Sequence, residues 1–317
     1  MLDEKTIIAL LSLRGVGART VAAMALGEQK ADDFESFEVV AGTIKVSRNE
    51  SHTSKELKEA WLQADEVLEQ CESRRIHAVG VSNACFPKSL LTIKNFPAML
   101  FVEGNIDSLS LAGVAIIGTR EPSEFGLKSA KRIASTAAKA GLTVISGLAE
   151  GCDTAGHQGC LEAGGVTIAV LAHGHGRIYP AKNKGLAEEI IFKGGALVSE
   201  YLPGSPPFRT RFVERDRLQS GLSRGIIVVE TDIQGGTMHT VKFASEQNRW
   251  IGAIGHPPAW LCHPKSRGNQ FLIEQNTAQP LRDASDTAQF FQKLALGEGS
   301  QNQAGREDHS LGLLFKA

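Results

Sequence analysis

The chain has no apolar run near the roughly 20 residues that span a membrane. Its first residues, Met1 to Lys5, show no cationic stretch leading into an apolar one. Neither a membrane segment nor a signal peptide is expected. There is no surplus of either charge: 34 Lys and Arg stand against 35 Asp and Glu, a formal −1 over 317 residues. A strongly basic balance would point to a nucleic-acid partner, and this total does not. Only five cysteines occur, Cys71, Cys85, Cys152, Cys160 and Cys262, with no C-x-x-C pair. Such scatter argues against a disulfide framework and suits a reducing cytoplasm. G-x-G-x-x-G and G-x-x-x-x-G-K-[ST] are also absent, and no acidic residue ends the second strand of the α/β region. A nicotinamide enzyme and a P-loop NTPase are therefore disfavoured.

What is present is ordinary in bulk and uneven in detail. With 42% hydrophobic and 22% charged residues the chain reads as globular rather than disordered. Residues 1–70 have helical apolar spacing and are expected to form a small helical domain. Within them Gly15-Val16-Gly17 suits either a plain tight turn or a helix-hairpin-helix, whose backbone N–H groups can meet a phosphate. Residues 71–112 carry Pro87 and Pro97 and read as an irregular linker and lead-in to the sheet, with one short strand at Ala98–Val102. From residue 113 short continuous apolar runs alternate with helical stretches, which predicts a parallel sheet covered on both faces. The expected fold is α/β: an extended Rossmann-like, doubly wound, mostly parallel sheet over residues 113–280. Residues 281–317 read as a terminal helix and a polar, Gly-rich tail.

The loops after the strands carry the chemistry. Gly118-Thr119-Arg120 follows the first, Ser146-Gly147 the second, Lys182-Asn183 lies beyond the third, and Gly235-Gly236-Thr237 follows Ile226–Val229. Glycine between a strand and a helix lets backbone approach a ligand, and the helix N-terminus offers free N–H groups. One such loop is ordinary connection chemistry; four on one rim suit phosphates. The segment 209–224 adds Arg209, Arg211, Arg215, Arg217 and Arg224 against Glu214 and Asp216. Together with Arg120, Lys182 and Lys184 it predicts a local basic groove on an otherwise acidic protein, although ion pairing along one helix face would explain the run equally. Cys152, His157 and Cys160 lie near one another without the paired spacing of a zinc site, so no metal and no cofactor is expected. Glu150, Asp153 and Glu200 are the acids nearest the strand ends, and no acid–base pair emerges from them.

In order, these stretches resemble the DprA/Smf family of DNA-processing proteins. The resemblance is carried by Val114–Ser123, by Gly141–Asp153 with His157, by Ala163–Leu171, Tyr179-Pro180 with Asn183, Ser199-Glu200 and Arg215-Asp216-Arg217. It implies a Rossmann-like domain that binds single-stranded DNA, acts as a homodimer and loads a RecA-type recombinase during natural transformation. It further implies that Gly118, Thr119 and Arg120 line the DNA pocket, with Asn183, Arg215 and Arg217 beside them. Asp216 stands where the family usually has Asn, and Gln234–Thr237 departs from its usual loop. Two other readings remain: an enzyme or sensor for a small nucleotide, similar to Rossmann-like phosphoribohydrolases, and a scaffold whose site is vestigial.

Overall fold

The computed structural model describes residues 1–44 and 51–297. It opens with four helices, α1 (Glu4–Ser12), α2 (Ala18–Ala25), α3 (Phe34–Gly42) and α4 (Ser54–Ser73). Local chemistry sets their starts. Asp3 accepts from the Thr6 N–H, while Asp33 with Ser36 and Thr53 with Glu56 form reciprocal capping boxes. Their apolar faces meet in a core where the Phe37 and Trp61 rings lie 4.9 Å apart. That core is not separate. It runs on through Ile76, Val79, Leu100 and Val102 into one face of the sheet.

The sheet takes β1 (Ile76–Gly80) and β2 (Met99–Gly104) before the alternating region begins. There follow β3 (Gly113–Ile117), α5 (Glu124–Lys139), β4 (Thr143–Ser146), α6 (Cys152–Glu162), β5 (Thr167–Val170), α7 (Lys184–Phe192) and β6 (Ala196–Ser199). The chain then returns through α8 (Arg209–Leu222) to β7 (Gly225–Val228), α9 (Thr237–Glu246), β8 (Trp250–Ile254), α10 (Arg267–Glu274), β9 (Gln279–Leu281) and α11 (Ala284–Leu296). The strand order is β1-β2-β6-β5-β4-β3-β7-β8-β9, parallel from β6 to β9 and antiparallel at β1–β2 and β2–β6. Period-two alternation assigns the faces. Ala115, Ile117, Ile226 and Val228 join the N-terminal helices, α8 and α9; Val114, Ile116, Ile227 and Val229 join α5, α6 and α11. Among the described residues no helix is long and apolar enough to cross a membrane.

Two segments differ from the expectation. Residues 71–112 are not a linker, because β1 pairs along its length with β2 and β2 pairs with β6. At the boundary between the expected sheet region and the expected terminal helix lies β9, a three-residue strand with Pro280 in its middle. Proline is tolerated there because the strand lies at the edge of the sheet. Most of the expected tail, residues 298–317, lies outside the described residues.

From β3 the chain winds outward to β6, then crosses back to β7 on the other side of β3. The reversal opens a crevice at the carboxyl ends of β3 and β7, where ligands of such sheets bind.

Candidate nucleic-acid interface

A cavity of about 380 Å³ occupies that crevice. Gly118, Thr119 and Arg120 form one side, Gly235, Gly236 and Thr237 another, and Phe212, Arg215, Asp216 and Gln219 of α8 a third. A second hollow of about 270 Å³ shares Arg120 and Phe212 and extends to Gly147, Glu150 and Tyr179. The two make a continuous groove along the rim.

The Gly118 loop is held from beneath. The Thr119 N–H donates to the Glu230 carbonyl at 2.8 Å, and the Cys152 N–H donates to the Thr119 carbonyl at 3.2 Å. Glu230, at the end of β7, accepts from the Ser123 N–H at 2.8 Å and the Ser123 hydroxyl at 2.5 Å. Those bonds, with one from the Gly126 N–H to the Ser123 hydroxyl oxygen, tie the start of α5 to β7. A Cβ on Gly118 would lie 2.5 Å from the Cys152 sulfur, so the loop can sit this low only as glycine. The outcome is an exposed Arg120 whose guanidinium lies 5.1 Å over the Phe212 ring. Tyr179, 43% exposed, stands 5.6 Å from that ring and tilted 58° to it.

Below the groove lies a charged layer. Arg215 is 4% exposed; its guanidinium donates to the Val170 carbonyl and its Nε is 3.3 Å from the Asp216 carboxylate. Asp153 accepts from the Gly147 N–H at 3.0 Å and the Ala149 N–H at 3.3 Å. Two carboxyls thus share one guanidinium. Burial pushes the Asp216 carboxyl up to about 7, Arg215 opposing and Asp153 adding to the rise. Burial also raises Asp153, against the pull of Arg215. Burial, with Arg215, pushes His157 down to about 3.

These shifts predict a pH dependence. Between about 4 and 7 folded Asp216 holds a proton that an unfolded carboxyl releases, so its contribution to stability falls as pH rises. His157 works the other way: between about 3 and 6.5 the unfolded imidazole holds the extra proton, and stability falls as pH falls. The two oppose each other over their shared window. Asp216→Asn removes one of them. Urea unfolding of that variant between pH 4.5 and 6.5 should lose up to about 1.4 kcal/mol more per pH unit of acidification than the parent. Parallel curves for the two proteins would refute this assignment.

The structure brings together Gly118, Thr119, Arg120, Arg215, Gly235, Gly236 and Thr237, with Gly147 in the adjoining hollow. It does not bring in the others. Ser146 is fully buried, its hydroxyl on the Ile116 carbonyl at 2.7 Å. Asn183 uses its amide on the Leu148 carbonyl and the Thr154 hydroxyl. Arg217 is clamped by Glu200 through two 2.6 Å bonds and donates to the Asn95 carbonyl. Lys182 lies outside the cavity, paired with Glu150 at 2.7 Å. Arg224 binds the carbonyls of Leu294 and Ala295, and Arg211 covers the Tyr201 and Phe208 rings. The basic groove is therefore corrected. Arg120, Arg215 and Lys265 line the cavity, but so do Glu121, Asp153, Asp216 and Asp232.

Several lining residues escaped sequence reading. Phe212 had a signal, an aromatic set among arginines; Gln219, Thr240, Asp232 and Lys265 had none. Gly221-Leu222-Ser223-Arg224-Gly225 has the G-x-S-x-G spacing of a nucleophile elbow, which runs from strand to helix. Here it runs from α8 into β7, with the buried Ser223 hydroxyl on the Ser220 carbonyl. Cys152, His157 and Cys160 are all buried, with His157 Nδ1 2.7 Å from the Thr167 hydroxyl. Among the described residues no group of three or more His, Cys, Asp or Glu side chains is arranged to hold a metal.

Comparison with known proteins gives concordant matches. The family model described as DNA recombination-mediator protein A matches residues 77–292. Protein Smf of Escherichia coli is 37% identical over 199 residues, 63% of this chain and 52% of that protein. The match thus spans about half the length of that relative. DNA processing protein DprA of Streptococcus pneumoniae is 35% identical over 217 residues, 68% of this chain and 75% of the relative. The X-ray structure of DprA from S. pneumoniae superposes with a TM-score of 0.74 at 28% identity, over 90% of this chain and 97% of that one. A structure of DNA processing protein A from Helicobacter pylori, described for its single-stranded DNA binding mode, gives 0.59 at 27% identity, over 67% of this chain and 93% of that one.

Proposed function

Because the chain belongs to the DNA recombination-mediator protein A family, we propose that it binds single-stranded DNA along the β3/β7 rim and, as a homodimer in the cytoplasm, delivers the strand to a RecA-type recombinase during DNA uptake or recombination. It performs no bond chemistry in this reading. The observation that supports strand binding best is the exposed Arg120 guanidinium over Phe212, with Tyr179 beside it. A guanidinium takes a phosphate, and aromatic faces take unpaired bases of any sequence. Backbone N–H groups at Gly118 and at the start of α9 can add phosphate contacts in the same groove. A duplex keeps its bases stacked and cannot offer them to Phe212.

The test is a binding titration of a mixed-sequence single strand and its duplex at two salt concentrations. The single strand should bind more tightly, and its affinity should fall as salt rises. Arg120→Ala should weaken it about tenfold, the loss of one charge-assisted contact and one cation–π partner. Equal affinity for duplex, or an Arg120→Ala protein that binds as the parent does, would overturn the reading.

A further inference from the structure

The two edges of the sheet are built differently. At one edge β9 has three residues with Pro280 in the middle. Shortness and proline are common ways of blunting an edge. At the other edge β1 has five residues, Ile76-His77-Ala78-Val79-Gly80, with no proline, no lysine and an unbroken register to β2.

That register decides which main-chain groups face outward. The Val81 N–H donates to the Ala98 carbonyl at 2.9 Å, and the same pairing continues as Val79 with Leu100 and His77 with Val102. In an antiparallel ladder the residues in between turn both N–H and C=O away from the partner strand. Ile76, Ala78 and Gly80 therefore aim their main-chain groups off the sheet. Gly80 is answered there, its N–H on the Glu4 carboxylate at 3.5 Å. Ile76 and Ala78 have no such partner among the described residues.

A groove of about 550 Å³ lies along this strand. Asn83, which follows β1, and Ile106, which follows β2, both line it, so it spans the length of the strand. Its walls combine apolar Leu68 and Ile106 with the carboxylates of Asp3, Glu4 and Glu72. Asp3 and Glu4 are answered by neutral donors, the Thr6 N–H and the Asn83 amide, each at 2.8 Å. Lys5 also lines the groove, but its ammonium is held by Asp65 at 2.7 Å and lies over the Trp61 ring. The groove is acidic. It repels a phosphate chain, and a second copy of this chain would set the same carboxylates against their own kind.

We propose that the outer edge of β1 docks an extended, basic segment of another protein, which joins the sheet as a further strand. The main-chain groups of Ile76 and Ala78 hold the segment whatever its sequence, and the carboxylates beside them select lysine or arginine in alternation with apolar residues. This site is separate from the β3/β7 rim, with β2, β6, β5 and β4 between them, and it needs no DNA.

The test uses the full chain and a capped hexapeptide of alternating valine and lysine. Two companions are compared with it: the same peptide with alternate amides N-methylated, which keeps the charge and loses the donors, and one with glutamate for lysine. The lysine peptide should bind at least about tenfold more tightly than either. Hydrogen exchange at the Ala78 amide should slow at least about tenfold on binding, while Val79, already paired with Leu100, should not change. Glu72→Lys should weaken the peptide about threefold, and oligo(dT) should not displace it. Equal binding of the N-methylated peptide, unchanged exchange at Ala78, displacement by oligo(dT) or absence of binding each overturns the proposal. So does protection of the Ala78 amide that rises with protein concentration without peptide, which would give the edge to a second copy. The N-methylated arm needs no substitution, so the outcome does not depend on a variant folding.

Discussion

Arg215→Met should lower the unfolding free energy by about 3–5 kcal/mol at pH 8. The reason is the layer beneath the groove. Arg215 is 4% exposed, and both Asp153 and Asp216 depend on its charge. Methionine fills most of the volume, so the loss is electrostatic rather than a cavity effect. Two buried carboxyls would face each other with no cation, and only the Gly147 and Ala149 N–H groups and the Ser146 side chain would hold Asp153. For a chain of this size the change should appear as a fall in Tm of roughly 6–15 °C. It should shrink on acidification below about 7, where Asp216 takes up its proton. Arg215→Lys, which keeps a charge without the planar fork, should lie between. A loss below about 1 kcal/mol for Arg215→Met at pH 8 would contradict the charged-layer account.

Gly151→Ala should act on the groove from the opposite side. Gly151 has φ +78°, and a Cβ there would lie 2.5 Å from the Arg120 carbonyl oxygen and 2.6 Å from the Thr119 carbonyl oxygen. No side chain can swing away, because all the neighbours are backbone. Positive φ costs alanine about 1–2 kcal/mol, and forcing atoms into a filled space about 1–3 more. Gly141 provides the control, with φ +75° and nothing within 4 Å of its Cβ position. Gly141→Ala should show only the backbone cost. Gly151→Ala should also displace Arg120 and weaken single-strand binding about tenfold, whereas Gly141→Ala should not. Combined with Arg120→Ala, Gly151→Ala should add little further loss of affinity, since both act through one side chain. Additive losses would show that Gly151 acts elsewhere.

Much of the α/β region is legible in the sequence because a parallel strand buried on both faces is an unbroken apolar run, and the stretches between such runs carry helical spacing. Lys184–Phe192, between two such runs, forms α7. The strands β1 and β9 were hidden for distinct reasons. β1 is polar at His77 and precedes a loop containing a proline, and β9 has three residues, one of them Pro280. At the site, the glycines were readable because backbone approach is a local property. The side chains were not, because their partners are remote. Ser146 answers to Ile116, Asn183 to Leu148, and Arg217 to Asn95, at separations of 30, 35 and 122 residues. An arginine in an Arg-rich helix looks the same on paper whether it faces solvent or is held by Glu200.

The antiparallel pairing of β2 with β6 carries a consequence for synthesis. Residues 101–104 wait for residues 196–199 before that side of the strand is covered. Between Gly104 and Ala196 the ribosome adds about 92 residues, roughly 5–20 s at bacterial-type elongation rates. Through that interval Leu100, Phe101 and Val102, all buried in the finished molecule, sit on a strand with one open edge. The nascent N-terminal half is then a client for holding chaperones and a seed for edge-to-edge association.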